Sequence, residues 1–306
     1  MSFTEQLARP VAQWHLRSCS LDLGRCTLVM GIVNLTPDSF SDGGSFPTPQ
    51  HAIDHALRLL DEGADLLDLG AESTRPGSHA GGPDAAVDAA EEQSRLLPVL
   101  EGILRARPGT LVSIDTYKAA TARAALASGA EIINDVSGFA WDPDMPAVCA
   151  EYPCGVILMH TRGRPDEWAT QSQLAPEAVL ANVRSGLSES LGLAERFGIA
   201  DDHIVLDPGY GFGKRGDENY ALLARQHELL ALGRPLLAGL SRKSFLGYTL
   251  AEFNAGQPAP VTARETASTA ALVAAIFHGA SIVRVHSVRP AAEAARIADA
   301  ILKRTA

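Results

Sequence analysis

Polar side chains end four short apolar runs in this 306-residue chain. They are Asn34, Asp115, Asn134 and Asp207, and each precedes a turn or a helix signal. A run that is apolar throughout is typical of a strand buried on both faces of a parallel sheet covered by helices. The polar residue that ends such a strand points into the space where α/β folds bind ligands. Four residues at equivalent positions therefore predict one common site.

Three of these residues, Asp115, Asn134 and Asp207, also have a structural explanation. Asp115 could cap the helix that follows it, unless Thr116 caps that helix and leaves Asp115 free. Asp207 precedes Pro-Gly, where an aspartate often only folds a turn. Asn134 and Asp135 precede Val-Ser-Gly, which is another turn-like context. Residue type and spacing leave both explanations open at these three positions.

Basic side chains cluster at the same predicted strand ends. They are Arg75, Arg242, Lys243, Arg284 and His286. The last helix is predicted to begin near Pro290, and its free backbone N–H groups, with Arg284 and His286, could hold a phosphate. The alternative is a structural ion pair between Arg284 and Asp115 or Asp207.

Eight strand-like runs alternate with helical segments along the chain. The runs are Thr27–Val33, Leu66–Gly70, Leu111–Asp115, Ile132–Asp135, Val156–His160, Ile204–Asp207, Leu236–Gly239 and Ile282–Val285. The intervening segments have helical spacing, and several end at a glycine, as helices often do. Eight such units predict an α/β fold, a single-domain (β/α)8 TIM barrel, with a doubly wound open sheet as the alternative. We assign residues 1–24 to an N-terminal extension that could form a hairpin over the barrel bottom, and residues 25–306 to the barrel.

Composition excludes some classes of partner. The formal net charge of −10 argues against non-specific nucleic-acid binding, so an anionic substrate needs local basic groups. The four cysteines form no C-x-x-C pair, and we interpret them as reduced thiols. The N-terminal sequence MSFTEQLARPVAQWH lacks an apolar signal region, and no run reaches transmembrane length. We therefore expect a cytoplasmic protein without a membrane partner.

Two further motifs carry less information. The segment GYGFGK (209–214) is not a phosphate-binding P-loop, because its spacing differs and Arg215 stands where Ser or Thr should follow. His160 ends the fifth run and is as compatible with packing as with chemistry. The chain has no sequence motif of a serine hydrolase, a zinc protease or a dinucleotide-binding fold.

Eight motifs resemble the dihydropteroate synthase family. They are GIVNLTPDSFSDGG (31–44), GAESTRPGS (70–78), SIDTYKA (113–119), IINDVSG (132–138), MHTRG (159–163), LDPGYGFGK (206–214), GLSRKSF (239–245) and IVRVHSV (282–288). The resemblance implies a (β/α)8 barrel that condenses 6-hydroxymethyl-7,8-dihydropterin pyrophosphate with para-aminobenzoate. The products would be 7,8-dihydropteroate and pyrophosphate. Thr161 and Ala71 depart from the usual family residues, but neither change removes a polar group of the site.

The resemblance also implies roles for individual residues. The pterin pocket would contain Asp115, Asn134, Asp207 and Lys243. The pyrophosphate site would contain Asn34, Thr74, Arg75, Arg284 and His286, with Mg²⁺ on Asn34. The aminobenzoate pocket, which sulfonamides also occupy in this family, would contain Phe40, Pro76, Phe212, Lys243 and Ser244. The residues closest to the chemistry would be Asp115, Lys243, Arg284 and Asp38.

The implied reaction breaks a C–O bond before it forms a C–N bond. Pyrophosphate would leave the pterin methylene, and the amine would attack the resulting cation. We expect the two loops that carry Asp38, Phe40, Ser41, Thr74 and Arg75 to order when pyrophosphate is bound. A pterin-binding methyltransferase barrel and a binding-only relative are the alternatives. The complete charged set and the motifs SRKSF, ESTRPG and RVHS favour the synthase. The segment 265–279 is apolar on more than one face, so we also expect a homodimer.

Overall fold

Eight parallel strands close into a barrel in this computed structural model, which describes residues 9–36, 48–74, 78–82 and 87–304. The barrel strands are β3 (Leu28–Asn34), β4 (Leu66–Gly70), β5 (Val112–Asp115), β6 (Ile132–Asp135), β7 (Gly155–Met159), β8 (Ile204–Asp207), β9 (Leu236–Ala238) and β10 (Ala280–Val285). Strand β10 pairs with β3 and with β9, which closes the sheet. The predicted (β/α)8 barrel is confirmed, and the open sheet is excluded.

The helices lie outside the barrel, each after its strand. They are α1 (Pro49–Asp61), α2 (Ala89–Ala106), α3 (Ala119–Ala127), α4 (Met145–Glu151), α5 (Pro176–Arg196), α6 (Asp217–Ala224), α7 (Ser244–Thr249), α8 (Glu265–Phe277) and α9 (Val288–Leu302). Sequence explains their starts, because α1 and α5 begin on proline and Asp88 caps α2 by accepting from Glu91 N. None of these described helices is both long and apolar enough to cross a membrane.

Helix α3 corrects the prediction about its cap. It begins at Ala119, and its N-cap position is Lys118. Neither Asp115 nor Thr116 therefore occupies the cap position. The free N–H of Ala119 donates instead to Asp142 Oδ2 at 2.7 Å, so an aspartate distant in sequence does the capping. Asp115 therefore does not cap α3.

The N-terminal extension forms the expected hairpin, with β1 (Ala12–His15) antiparallel to β2 (Ser20–Leu23). Trp14, Leu16 and Leu23 are buried in one apolar cluster with side chains from the amino-terminal half of the barrel. The indole N–H of Trp14 donates to the carbonyl of His203 at 2.8 Å, which satisfies its polar atom. The hairpin thus closes the barrel at the end opposite the predicted site. The division of the chain at residue 24 stays a prediction.

The strand register places the predicted residues at one level. Asn34 is paired with Gly70, Gly70 with Asp115, and Asp115 with Asn134. A Cβ at Gly70 would lie 3.4 Å from Cβ of Asp115, an ordinary van der Waals distance. Gly70 and the Asp115 carboxylate are therefore direct neighbours at the barrel mouth.

Candidate active site

A cavity of about 670 Å³ opens at the carboxyl ends of the strands. Ten of the predicted site residues line it. They are Asn34, Thr74, Asp115, Asn134, Asp207, Phe212, Lys243, Ser244, Arg284 and His286. Four other predicted residues lie outside the described part of the chain, namely Asp38, Phe40, Arg75 and Pro76. The barrel therefore brings together every predicted site residue that the structure describes.

Arg284 links two carboxylates at the centre of this cavity. Its Nη2 donates to Asp115 Oδ2 and its Nε donates to Asp68 Oδ2, both at 2.6 Å. The expected ion pair of Arg284 with Asp115 is thus present, and the one with Asp207 is not among the ion pairs of the described residues. The guanidinium is still 20 % exposed, so a ligand can reach it. A structural ion pair and a ligand-binding role are compatible at this position.

Asp68 is a residue that sequence analysis missed. It is fully buried within β4 and accepts from Ser113 Oγ at 2.6 Å and from Asn134 Nδ2 at 3.1 Å. These bonds fix the Asn134 amide and leave its oxygen as an acceptor at the cavity. The available signal was an aspartate inside the apolar run LLDLG, because a charge in a buried strand requires a partner.

The charge balance of this cluster decides the pKa of Asp115. Burial raises the pKa of that carboxyl to about 7. The positive charge of Arg284 lowers it, but Asp68 shares the same guanidinium and adds a negative charge nearby. For Arg284, burial lowers the pKa, and the charges of Asp68 and Asp115 reverse that effect and raise it overall. Arg284 is therefore a fixed cation, and Asp115 titrates near neutral pH.

Asp207 combines the two explanations that its sequence context left open. Its Oδ1 accepts from Gly209 N at 2.7 Å and so folds the turn after β8. The same carboxylate lines the cavity, and burial raises its pKa. Gly209 has a φ of +69°, and a Cβ on it would lie 1.9 Å from the carbonyl oxygen of His160. Only glycine allows the loop to pass this close and keep Asp207 in place.

Lys243 and Phe212 form one wall of the cavity. The ammonium lies 4.1 Å from the centroid of the Phe212 ring, a cation–π distance. Burial lowers the pKa of Lys243 to about 8, although the negative charge of Asp207 acts in the opposite direction. Trp168 packs against the Phe212 ring in a T-shaped contact, with the ring centroids 5.3 Å apart. A flat aromatic ligand could lie against this wall.

His286 and the start of α9 form the other end of the cavity. Ser241 Oγ lies 3.2 Å from His286 N and 3.0 Å from His286 Nδ1. Arg242, which sequence analysis had not assigned to a site, donates to Ser287 Oγ at 3.0 Å, and its backbone has a φ of +59°. The loops after β9 and β10 are thereby joined beside a helix N-terminus, which is an arrangement that binds anions.

Three other candidates do not line this cavity, namely Asp135, Lys214 and His160. Asp135 accepts from Ser137 N at 2.8 Å and Phe139 N at 2.9 Å and does not line the cavity. Lys214 donates to the carbonyls of His160, Gly209 and Phe212, so the GYGFGK segment uses its lysine to hold its own backbone. His160 is buried, and burial holds its pKa well below the usual value.

Magnesium would find few protein ligands here. The described residues contain no group of three or more His, Cys, Asp or Glu side chains that could hold a metal ion. Asn34 lines the cavity and offers an amide oxygen. Mg²⁺ often binds through one or two protein oxygens together with substrate phosphates and water. The residues present therefore fit a magnesium ion that is carried mainly by a phosphorylated substrate.

Several known proteins are similar to this chain in sequence and in fold. A family model described as pterin binding enzyme matches residues 30–286. The dihydropteroate synthase of Synechocystis is 40% identical over 92% of this chain and 92% of its own length. The Yersinia pestis dihydropteroate synthase in a sulfonamide drug complex has a TM-score of 0.84 and 37% identity, over 95% of this chain and 99% of that chain. The Xanthomonas albilineans dihydropteroate synthase in complex with 7,8-dihydropteroate has a TM-score of 0.79 and 37% identity, over 94% and 98%.

Proposed function

This chain belongs to the dihydropteroate synthases of the pterin-binding enzyme family, and from that premise we propose how its own residues carry the reaction. It is a transferase that joins 6-hydroxymethyl-7,8-dihydropterin pyrophosphate to para-aminobenzoate. The observation that carries the proposal is the placement of Asp115 and Arg284 in contact, between a polar pocket and an anion-binding helix end. A reaction that separates positive from negative charge is stabilised by charged groups of both signs at its centre.

The pterin would bind among Asp115, Asn134, Asp207 and Lys243. A pterin carries hydrogen-bond donors and acceptors around a flat ring, and these four side chains offer both kinds of partner. Asn134 is oriented by its bond to Asp68, and Asp207 by its bond to Gly209. Since both groups are held before the ligand arrives, they can orient the ring without further ordering.

The pyrophosphate would bind at Asn34, Thr74, Arg284 and His286, beside the N-terminus of α9. Arg75 is predicted to join them. The N–H groups of a helix start and nearby cations stabilise phosphate oxygens. Magnesium, which we propose as the cofactor on Asn34, would neutralise charge on the departing pyrophosphate.

The reaction would begin with cleavage of the C–O bond at the pterin methylene. The bonding electron pair leaves with pyrophosphate, and a delocalised cation remains on the pterin. Arg284 stabilises the departing anion, and the carboxylates of Asp115 and Asp207 stabilise the cation. The amine nitrogen of para-aminobenzoate then attacks the methylene carbon to form the C–N bond, and its proton passes to the released pyrophosphate or to solvent. Asp38 is proposed to act near this centre.

The aminobenzoate would lie against the wall formed by Phe212, Lys243 and Ser244, with Phe40 and Pro76 predicted to complete the pocket. The ring can pack on Phe212, and the ammonium of Lys243 can attract the carboxylate. A sulfonamide has a similar aromatic amine and a polar group in place of the carboxylate. We therefore propose that sulfonamides inhibit this enzyme by competing with para-aminobenzoate.

The pH profile tests the two titrating groups. We expect kcat/KM for the pterin substrate to rise as Asp115 ionises near pH 7 and to fall as Lys243 loses its proton near pH 8. Asp115→Asn should remove the acidic limb. Lys243→Arg, which stays charged, should remove the alkaline limb. Ionisation of the substrate affects the wild type and both variants alike. If neither variant changes the pH profile, the assignment of the two limbs to Asp115 and Lys243 is contradicted.

We propose a homodimer formed through α8 and the adjacent α9. Ile297 and Ile301 on α9 lie one turn apart and are 66 % and 48 % exposed, so they form an apolar patch on this helix. Ile297→Asp should shift the protein from dimer to monomer in multi-angle light scattering. The matched change Val11→Asp, at another exposed apolar residue, should leave the mass unchanged. A monomeric wild type at all concentrations would refute the dimer.

We propose a cytoplasmic location and small-molecule partners only. The four cysteines are free thiols, although Cys149 and Cys154 are both buried and near in sequence. Free thiols are typical of a reducing compartment. The net charge of −10 supports the absence of a nucleic-acid partner.

A coupled assay tests the proposed function. The purified protein is given pterin pyrophosphate, para-aminobenzoate and Mg²⁺, and release of pyrophosphate and formation of dihydropteroate are followed together. Equal amounts of both products are expected, and omission of para-aminobenzoate should stop dihydropteroate formation. Tight pterin binding without turnover would instead indicate a binding-only relative.

A further inference from the structure

A buried ion cluster lies beside the cavity, where the chain leaves β4. It consists of Glu72, Glu92 and Lys118. The ammonium of Lys118 contacts Glu72 Oε2 and lies 3.3 Å from Glu92 Oε2. The side chain of Lys118 is 11 % exposed, and both carboxylates are less exposed than that. Glu72 lines the cavity, whereas Glu92 and Lys118 do not.

Glu92 is the fixed member of this cluster. Its Oε2 accepts from Thr116 Oγ1 at 3.1 Å and from Thr121 Oγ1 at 2.6 Å. These hydroxyls belong to the segment around the start of α3, whereas Glu92 belongs to α2. Lys118 is held in addition by the ring of Tyr117, whose centroid is 4.4 Å from the ammonium. Lys118 is therefore held by Glu92 and Tyr117 as well as by Glu72.

Lys118 is the cation that Glu72 contacts. Its second oxygen, Oε1, is buried and has no hydrogen-bond partner among the residues that the structure describes. The preceding carbonyl, of Ala71, accepts from Arg95 Nη1 at 3.0 Å. Thr74, which lines the cavity, is two residues beyond Glu72. Because an extended chain advances roughly 3.3–3.6 Å per residue, the location of Thr74 follows closely from that of Glu72.

The charges of the cluster make the position of Glu72 sensitive to the loss of Lys118. Two carboxylates share one ammonium, and burial raises the pKa of Glu92 while Lys118 opposes that rise. Without Lys118, two buried carboxylates would face each other with no cation between them, which is strongly unfavourable. Glu92 is retained by two hydroxyls, so Glu72 is the group that would move.

We propose that Lys118 is a positioning residue of this reaction, which acts through Glu72 to hold Thr74 at the pyrophosphate end of the cavity. The proposal rests on the assignment of Thr74 to the pyrophosphate site. Lys118 itself touches no substrate. Its influence should therefore be confined to ligands that carry the pyrophosphate group.

Titration calorimetry with two ligands tests this role. Lys118→Met should weaken binding of pterin pyrophosphate by about 10- to 100-fold, as expected for a displaced contact group, and should leave 6-hydroxymethylpterin, which lacks pyrophosphate, unaffected. Glu72→Ala keeps the Lys118–Glu92 pair and should reproduce the loss. Adding Lys118→Met to Glu72→Ala should cause little further change, and Lys118→Arg should restore most of the affinity.

Three outcomes would overturn the inference. Equal affinity of Glu72→Ala and wild type for pterin pyrophosphate would refute the role of the cluster. This comparison does not require that Lys118→Met folds. An undiminished effect of Lys118→Met in the Glu72→Ala background would show that Lys118 does not act through Glu72. Equal losses for both ligands would indicate a general structural defect. A wild type that binds neither ligand would instead overturn the proposed function on which the inference rests.

Discussion

Replacing Arg284 with alanine is expected to lower kcat/KM by about 100- to 1000-fold or more. Removal of one group that stabilises developing charge typically costs roughly 2.7–4 kcal/mol. The loss includes a second effect, because Asp68 and Asp115 would keep their charges without the guanidinium between them. Breaking a buried ion pair in this way typically destabilises a protein by roughly 3–5 kcal/mol. Steady-state kinetics and chemical denaturation measure the two effects separately.

Arg284→Lys separates charge from geometry. An ammonium keeps the charge but cannot donate to Asp68 and Asp115 through two nitrogens of one planar group. We expect an activity between those of wild type and Arg284→Ala. Arg289→Ala is the matched control, because Arg289 lies in α9 near the same end of the barrel and its side chain is 68 % exposed. Activity of Arg284→Ala within a few fold of the control would contradict the proposed role.

Replacing Asp115 with asparagine is expected to lower kcat by about 100-fold or more while weakening pterin binding far less. The substitution keeps shape and hydrogen-bonding capacity but removes the negative charge beside Arg284. Positive charge develops on the pterin only as pyrophosphate departs, so the anion contributes mainly in the transition state. Single-turnover rates and pterin affinity together distinguish the two effects.

Asp65→Asn is the matched control for this substitution. Asp65 is an exposed residue at the opposite end of the barrel, where its Oδ2 accepts from Val29 N at 2.7 Å. It should lose some stability and little activity. If Asp115→Asn reduced pterin affinity as much as kcat, Asp115 would be a ground-state binding residue and not a group that stabilises the cation.

Much of the fold was predictable because its signals are local. Each apolar run and each helical segment has its own periodicity, and all eight strands were placed with ends within two residues of those observed. The cap of α3 was not predictable. It comes from Asp142, which lies 23 residues from Ala119, and no local pattern indicates that pairing.

The candidate site was predictable in its membership but not in its contacts. Position at a strand end identified Asp115, Asn134, Asp207 and Arg284, since barrel closure brings all strand ends to one face. Sequence could not rank turn formation against ligand binding at Asp207, and in the structure this side chain both folds the turn and lines the cavity. Asp68 was missed because it lies inside a strand, one layer below the residues that end their strands.

The sequence by itself determined which side chains stand at the barrel mouth, because strand length and alternation are properties of consecutive residues. Only the tertiary structure decided which of these side chains form ion pairs with one another. Arg284 and Asp115 are 169 residues apart, and Arg284 and Asp68 are 216 apart, yet closure of β10 against β3 brings them into contact. Burial raises the pKa of Asp115, and the charge of Asp68 adds to that rise although Arg284 opposes it. Burial and distance between remote groups are set by packing, and no local pattern in the chain contains them.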